Sequence, residues 1–290
     1  MTNQSQRIAE YYDASLPFYK LFWHRDDESN ALHYGFWEKG TRNIKEALLN
    51  ENKFLADILN IQDGAKILDA GCGIGGSAIW LAKNYPVSVT GITLSKKQVE
   101  KARQLAKKHG VQDTVDFSLQ NFLHTEFPSE YFDVVWAIES VCHAEKKQKF
   151  LTESLRILKP GGKIVVADGF LKRNIWDAEQ PLYKDFLDGL ALLNLATIDE
   201  FRQSMNTVGF ADIQFWDKTD EMKQSSKLLY RRTSLLHPVA KLLHRFGILS
   251  SVVFKNGPAG IAQYKLVQTG AFGYGVFYGE KFRSVVQKRK

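Results

Sequence analysis

The chain is 290 residues long, with 44% hydrophobic and 24% charged residues, a composition that belongs to a globular protein with room for one large domain or a domain carrying a cap. No apolar run approaches the ~20 residues of a membrane span, no apolar signal core follows the N-terminus, and the two cysteines, Cys72 and Cys142, lack metal-ligand spacing; a cytoplasmic chain without disulfides or a metal cluster is expected. The formal net charge of +7 fits a solvated surface, or attraction to an acidic acceptor or an anionic membrane surface, while the sequence contains no nucleic-acid-binding module.

Residues 1–60 read as helical and aromatic, with Tyr11-Tyr12-Asp13, Phe18-Tyr19, Phe22-Trp23 and Tyr34-Gly35-Phe36-Trp37 crowding the stretch. Rings so dense either fill a core or form a lid over a ligand. In the second case Tyr11, Trp23, Tyr34, Phe36 and Trp37 are candidate walls of a substrate pocket. From residue 66 strands and helices alternate. Residues 66–69 form a short apolar strand, 77–84 a helix and 87–92 a second strand. A helix over 95–109 has Ser95 as its N-cap and Gly110 as its stop. Residues 115–119 and 132–138 are the third and fourth strands. A helix over 148–158 ends at Lys159-Pro160-Gly161-Gly162, and 163–168 is the fifth strand. Such alternation predicts a doubly wound, mostly parallel α/β sheet covered by helices on both faces. After residue 170 the rhythm changes. Residues 181–195 read as an apolar cap helix, 199–208 as a helix leading into a strand at 209–216, and 223–246 as a basic amphipathic stretch, with 273–278 as a last strand. The expected organisation is a helical lid over 1–60 and an α/β core over 61–290, with cap insertions near 171–196 and 221–270.

The loop Asp69-Ala70-Gly71-Cys72-Gly73-Ile74-Gly75-Gly76 follows the first strand and opens a helix. Its glycines let the backbone turn tightly and approach a ligand, beyond a carboxyl strand end, where open α/β sheets bind their ligands. Gly71-x-Gly73-x-x-Gly76 also fits a dinucleotide loop. Two features speak against a dinucleotide. Asp69 stands at the strand tip, where a carboxylate suits a cationic sulfonium and repels a pyrophosphate. The second strand ends in Gly91-Ile92-Thr93-Leu94-Ser95, without the acid that grips a nicotinamide ribose. After the fourth strand come Glu139 and His143. An unpaired charge is expensive to bury there, and a helical turn would put both residues on one face. A helix cap with a surface histidine is the plainer alternative.

Ile67-Leu68-Asp69-Ala70-Gly71-Cys72-Gly73-Ile74-Gly75-Gly76 resembles the first motif of class I S-adenosylmethionine-dependent methyltransferases. Gly91-Ile92-Thr93-Leu94-Ser95-x-x-Gln98 is similar to the second motif of the tocopherol and cyclopropane-fatty-acid type enzymes, and Leu158-Lys159-Pro160-Gly161-Gly162 resembles the turn before their fifth strand. Ala137-Ile138-Glu139-Ser140-Val141-Cys142-His143-Ala144 is similar to a stretch of the sterol side-chain methyltransferases and, less closely, to the Glu-Ser-x-x-His of the tocopherol enzymes. Together these motifs cover about residues 30–170. The resemblance implies a Rossmann-like fold with a seven-stranded sheet and S-adenosylmethionine as cofactor. It implies that Asp69 and the backbone of Gly71, Cys72 and Gly73 hold the methionine part, with Leu94 and Ala137 beside the ligand. Thr93 replaces the usual ribose-gripping acid, so its hydroxyl, with Gln98, is expected to supply those bonds. Asn121 replaces an aspartate that bonds the adenine amine, and Phe122 is placed to pack on the ring. Plain turn chemistry at Thr93 and Asn121 is the competing reading.

The same resemblance implies a hydrophobic, often isoprenoid, acceptor without fixing the acceptor atom. Methyl transfer is an in-line displacement governed by positioning. If an alkene attacks, aromatic faces and a carboxylate stabilise the resulting cation, and Glu139 or His143 removes a proton. If a phenol or amine attacks, His143 is the base. The basic stretch 223–246 is read as a solvated cap face, a membrane contact, or a diphosphate site through Arg231 and Arg232. A non-catalytic S-adenosylmethionine-binding protein and a nicotinamide oxidoreductase are the readings from other classes. The oligomeric state stays open.

Overall fold

In the computed structural model, which describes residues 3–22 and 33–282, seven strands form a single sheet in which six run the same way and one, the seventh in chain order, runs against them. The chain starts it at β1 (Lys66–Ala70), steps outward to β2 (Ser88–Thr93) and β3 (Val115–Leu119), then crosses back to β4 (Phe132–Ile138) and β5 (Leu158–Leu171). β7 (Phe272–Lys281) runs antiparallel beside β5, and β6 (Phe210–Asp217) closes the edge, giving the order β3-β2-β1-β4-β5-β7-β6. The strand order reverses between β1 and β4, which opens a crevice at their carboxyl ends.

The central strands read as nearly continuous apolar runs because both of their faces are covered. Ile67, Val134 and Val165 point to one face, among the helices α2 (Ile44–Leu59), α3 (Gly76–Asn84) and α4 (Lys96–His109). Their neighbours Leu68, Val135 and Ile164 point to the other, against α5 (Lys147–Ile157) and α7 (Ile198–Val208). The period of two along each strand thus feeds two separate cores. α4 ends where local chemistry requires. The Ser95 hydroxyl accepts the Gln98 N–H at 3.0 Å, and Gly110, at φ 70°, donates its N–H to Ala106 and Lys107 carbonyls.

Three expectations need adjusting. The expected lid over 1–60 divides in two: α1 (Asn3–Phe22) crosses the carboxyl ends of the strands, whereas α2 sends Leu55, Ala56 and Leu59 into the sheet core. The turn 159–162 does not interrupt the fifth strand. Phe132 pairs with Leu158 and Val134 with Lys163, so the four residues between bulge out of one continuous β5. The apolar stretch 181–195 is helical only over α6 (Gln180–Gly189), because a turn with Ala191 at φ 55° ends it and redirects Leu192 and Leu195. Between β6 and β7 lie α8 (Thr219–Arg245), α9 (Ser251–Phe254) and α10 (Asn256–Gln268). Among the described residues, no helix is long and apolar enough to cross a membrane.

Candidate active site

The crevice holds two adjoining cavities. The first, about 440 Å³, is lined by the glycine loop, the tips of β2 and β4 and the start of α1. The second, about 310 Å³, is walled by α1, the turn after α6 and the insertion helices α8 to α10. Tyr12, Glu139 and His143 line both, so they form the partition between them.

Asp69, Gly71, Cys72, Gly73, Thr93, Leu94, Gln98, Asn121 and Phe122 all line the first cavity. Ala137 does not; it is fully buried in β4, and Ile138 takes the lining position. The loop shape depends on Gly71, whose φ of 90° and position leave no room for a side chain. A Cβ there would stand 2.3 Å from the Ser140 Cβ. Ser140 is itself fixed by donating its hydroxyl to the Ala70 carbonyl at 2.6 Å. The tips of β1 and β4 are thereby locked side by side.

The charges in this cavity are arranged in opposition. Asp69 Oδ2 and His33 Nε2 are both buried, and neither has a hydrogen-bond partner among the described residues. Burial raises the Asp69 carboxyl to about 7, against the pull of His33 and the Ala78 N–H. Burial pushes the His33 imidazole down, but Glu51, with Oε2 2.7 Å from Nδ1, outweighs it and holds the imidazole up at about 9. Glu51 also accepts the Tyr274 hydroxyl at 2.8 Å. A carboxyl group and an imidazolium that each leave one buried polar atom without a partner at the same cavity complement the ammonium and carboxylate of an α-amino acid, the end group of S-adenosylmethionine. The residues present therefore fit that cofactor.

Two expected ligand contacts are already engaged within the protein. The Thr93 hydroxyl donates to Gln98 Oε1 at 2.6 Å, so the Gln98 amide N–H groups are the donors left for a ribose. Asn121 Oδ1 accepts the Leu123 N–H at 2.9 Å, and its amide donates to Ser5 at 3.2 Å. Asn121 thus makes turn chemistry and a tie to α1 at once, with one carbonyl lone pair to spare.

Glu139 and His143 come together by a route other than a shared helical turn. β4 ends at Ile138, Glu139 takes φ 46°, and a short 3-10 turn over Val141–His143 follows. Left-handed backbone at a non-glycine residue is uncommon and concentrates where a side chain must be aimed. Glu139 Oε1 accepts the Tyr34 N–H at 2.6 Å. Burial and the nearby Glu51 charge lift its carboxyl to about 8, with His33 opposing. Burial and then the Lys147 ammonium lower His143 to about 3, so its imidazole is neutral at physiological pH. Its Nε2 lies 2.8 Å from the Tyr12 hydroxyl. Lys147 donates to the Cys142 and Ala144 carbonyls at 2.9 and 2.6 Å, which clamps the turn that carries His143.

Of the expected pocket walls, Tyr11 and Tyr34 line the second cavity. Phe36 and Trp37 line neither. Phe36 is fully buried against Phe54 and Tyr274, and the Trp37 indole donates to Ser225 at 2.9 Å, so both serve packing. Arg231 also lines neither, because it points to solvent from α8; its neighbour Arg232 sits at the cavity rim. Trp23 lies outside the described residues. Sequence reasoning missed His33, Glu51, Lys147 and the role of Tyr12. The Tyr11-Tyr12-Asp13 run carried a usable signal. Tyr11 is buried, Tyr12 meets His143, and Asp13 accepts a short hydrogen bond from the Ser95 hydroxyl, so three consecutive residues tie α1 to three places.

The family model for mycolic acid cyclopropane synthetase matches residues 1–211. The chain is 31% identical to the 27-O-demethylrifamycin SV methyltransferase of Amycolatopsis mediterranei over 202 residues, covering 70% of this chain and 72% of that protein. It is 30% identical to cycloartenol-C-24-methyltransferase 1 of Oryza sativa subsp. japonica over 221 residues, 75% of this chain and 62% of that protein. Among solved structures it shares its fold with the 4+2 cyclase SpnF (TM-score 0.82, 22% identity, 97% of both chains). It also shares it with the geranyl diphosphate C-methyltransferase of Streptomyces coelicolor (TM-score 0.74, 20% identity, 97% and 98%). With the glycine loop, the paired charges and the match over 1–211 in agreement, the chain belongs to the mycolic acid cyclopropane synthetase family of class I S-adenosylmethionine-dependent methyltransferases.

Proposed function

We propose that the second cavity holds a neutral, isoprenoid-like hydrophobe and that its methylation occurs at carbon. The observation that carries this reading is the partition: Tyr12, Glu139 and His143 face the cofactor cavity on one side and an apolar cavity on the other. An acceptor lying along Leu192, Leu195, Leu229 and Leu243 would present one end to the methyl group across that partition. S-adenosylmethionine supplies the methyl group, and Asp69, His33 and the glycine loop orient it. The chain's own work is then to align the acceptor, exclude water beneath α1, and manage charge. A double bond that attacks a methyl group becomes a carbocation. In this reading the Glu139 carboxylate, which lines both cavities, stabilises that cation and then accepts its proton, while the faces of Tyr11 and Tyr34 shield it. α1 acts as the lid of both cavities.

The relatives' range of acceptors gives the alternative its basis. His143, touching the Tyr12 hydroxyl, is placed to take a proton from a phenol or amine, but burial and Lys147 make it a weak base, which ranks this alternative second; the Amycolatopsis relative is named for a 27-O-demethyl substrate. A prenyl diphosphate is disfavoured by the cavity's charge. Arg231 is outside, Arg232 stands at the rim, and Glu139 and Asp168 line the interior. A cytoplasmic location with peripheral membrane contact belongs to the same reading. The deciding experiment incubates the purified protein with isotope-labelled S-adenosylmethionine and a panel of terpenoids, sterols, phenols and amines, and locates the label by NMR. A new methyl on carbon is expected. A methyl found on oxygen or nitrogen overturns the carbon assignment in favour of the His143 alternative.

A further inference from the structure

Seven of the twelve large apolar side chains exposed among the described residues fall within 235–252. Leu235, Val239 and Leu242 of α8 and Phe246, the residue that caps its C-terminus, are 78%, 55%, 54% and 68% exposed. At ~100° of rotation per residue, that spacing places all four on a stripe roughly 60° wide. Ile248 at 71% continues it beyond the helix. The exposed cations Arg231, Lys241 and Arg245 lie along one flank of the stripe. A helix with an apolar stripe beside long basic side chains lies in the plane of a membrane interface, apolar side down, with the cations reaching the headgroups.

The stripe also leads somewhere. Leu236, Val239 and Leu243 of the same helix line the second cavity, as do Leu249 and Val253 just beyond it. Val239 belongs to both surfaces, so the exposed face continues into the acceptor cavity with no polar barrier at that residue. We propose that this face seats on an anionic phospholipid bilayer, from which the hydrophobic acceptor passes directly into the second cavity. The proposal rests on the reading of that cavity as the acceptor site. A second copy of the chain is a poorer occupant, because a two-fold contact through this face brings its basic flanks against their like.

Flotation of the full chain with vesicles tests the surface without any acceptor. Vesicles of phosphatidylcholine plus phosphatidylglycerol are expected to carry the protein upward, and phosphatidylcholine alone to carry much less. Lys241→Glu and Arg245→Glu should each weaken the anionic partition about fivefold or more. The double variant Leu242→Glu/Phe246→Glu should weaken it at least about tenfold. Both of its sites are exposed and outside the cavity lining, so its melting temperature and its S-adenosylhomocysteine affinity should match the parent. With an acceptor in hand, that variant should lose turnover on vesicle-borne substrate and keep it on the same substrate dispersed in cyclodextrin. Failure to float with anionic vesicles overturns the proposal, as does flotation indifferent to all of these substitutions. A dimer in sedimentation velocity that the double variant dissociates overturns it in favour of self-association. A protein that floats as expected yet methylates none of the hydrophobes breaks the reading of the acceptor cavity and leaves the membrane surface standing.

Discussion

The two cavities that meet at Glu139 are built from different kinds of chain. The cofactor side consists of strand tips and the loops that follow them, and its polar groups come in opposed pairs: Asp69 against His33, and Thr93 with Gln98. The other side, the proposed acceptor cavity, consists of helices inserted after β5 and β6, joined by α1, and its walls are mainly leucines and aromatic rings. The difference follows from what each ligand demands. A fixed zwitterionic donor is recognised by charge and backbone geometry, which tolerate little variation. A hydrophobic acceptor is recognised by shape, which many helix packings supply.

The separation can be broken or sharpened by substitutions that act on one side alone. The largest effect is expected at the partition. Glu139→Gln should lower turnover about 10²–10⁴-fold, the range of a lost general base, while calorimetry finds S-adenosylhomocysteine affinity little changed. A comparable loss of affinity would place Glu139 on the cofactor side. The same residue sets a pH limb. Its carboxyl is held up at about 8, so below that pH the ionised base is the minor form. The plot of kcat/KM should climb with pH and level off above about 8, and the climb should vanish from the residual activity of Glu139→Gln. His143, held down at about 3, contributes no limb above that value.

Next comes Asp69→Ala. Removing a carboxylate that pairs with a charged group costs about 1.5–3 kcal/mol, so affinity for S-adenosylhomocysteine should fall about 10- to 150-fold in calorimetry. An unchanged affinity would remove the charge-pairing account of the first cavity. Tyr12→Phe deletes one hydroxyl beside His143 and should reduce kcat about three- to tenfold, the worth of an ordinary hydrogen bond. A rate that holds steady would leave His143 oriented by Lys147's clamp on its turn alone. The smallest effect is expected for Arg231→Ala, which lines neither cavity. A KM for any acceptor that rises more than about twofold would reopen the diphosphate reading.

Legibility in the sequence followed the same division. Asp69, Gly71, Cys72, Gly73, Thr93, Leu94, Gln98, Asn121 and Phe122 were expected at the ligand, and all of them line the first cavity. They lie within three strand–loop units, where a residue's place in the loop dictates its place in space. Ala137 was a one-residue slip. In a strand, adjacent side chains face opposite ways, so the lining position belongs to Ile138. Phe36 and Trp37 were misjudged because an aromatic run has the same appearance whether it packs a core or walls a pocket. His33 and Glu51 gave no local sign. They meet across a stretch of chain and act on Asp69 and Glu139 only after α2 has docked on the sheet.

The alternation of strand and helix, the capping residues and the glycine loop are local facts, written in the spacing of apolar residues and in the backbone freedom of glycine. From them the amino-acid order alone determined the parallel sheet, its covered faces and the donor's binding loop. The tertiary structure decided which residues divide the two cavities, which way Glu139 points from its left-handed backbone, and what holds His33 charged. Those outcomes depend on groups distant in sequence sharing one desolvated space, where burial and neighbouring charge set protonation and no single segment carries the information.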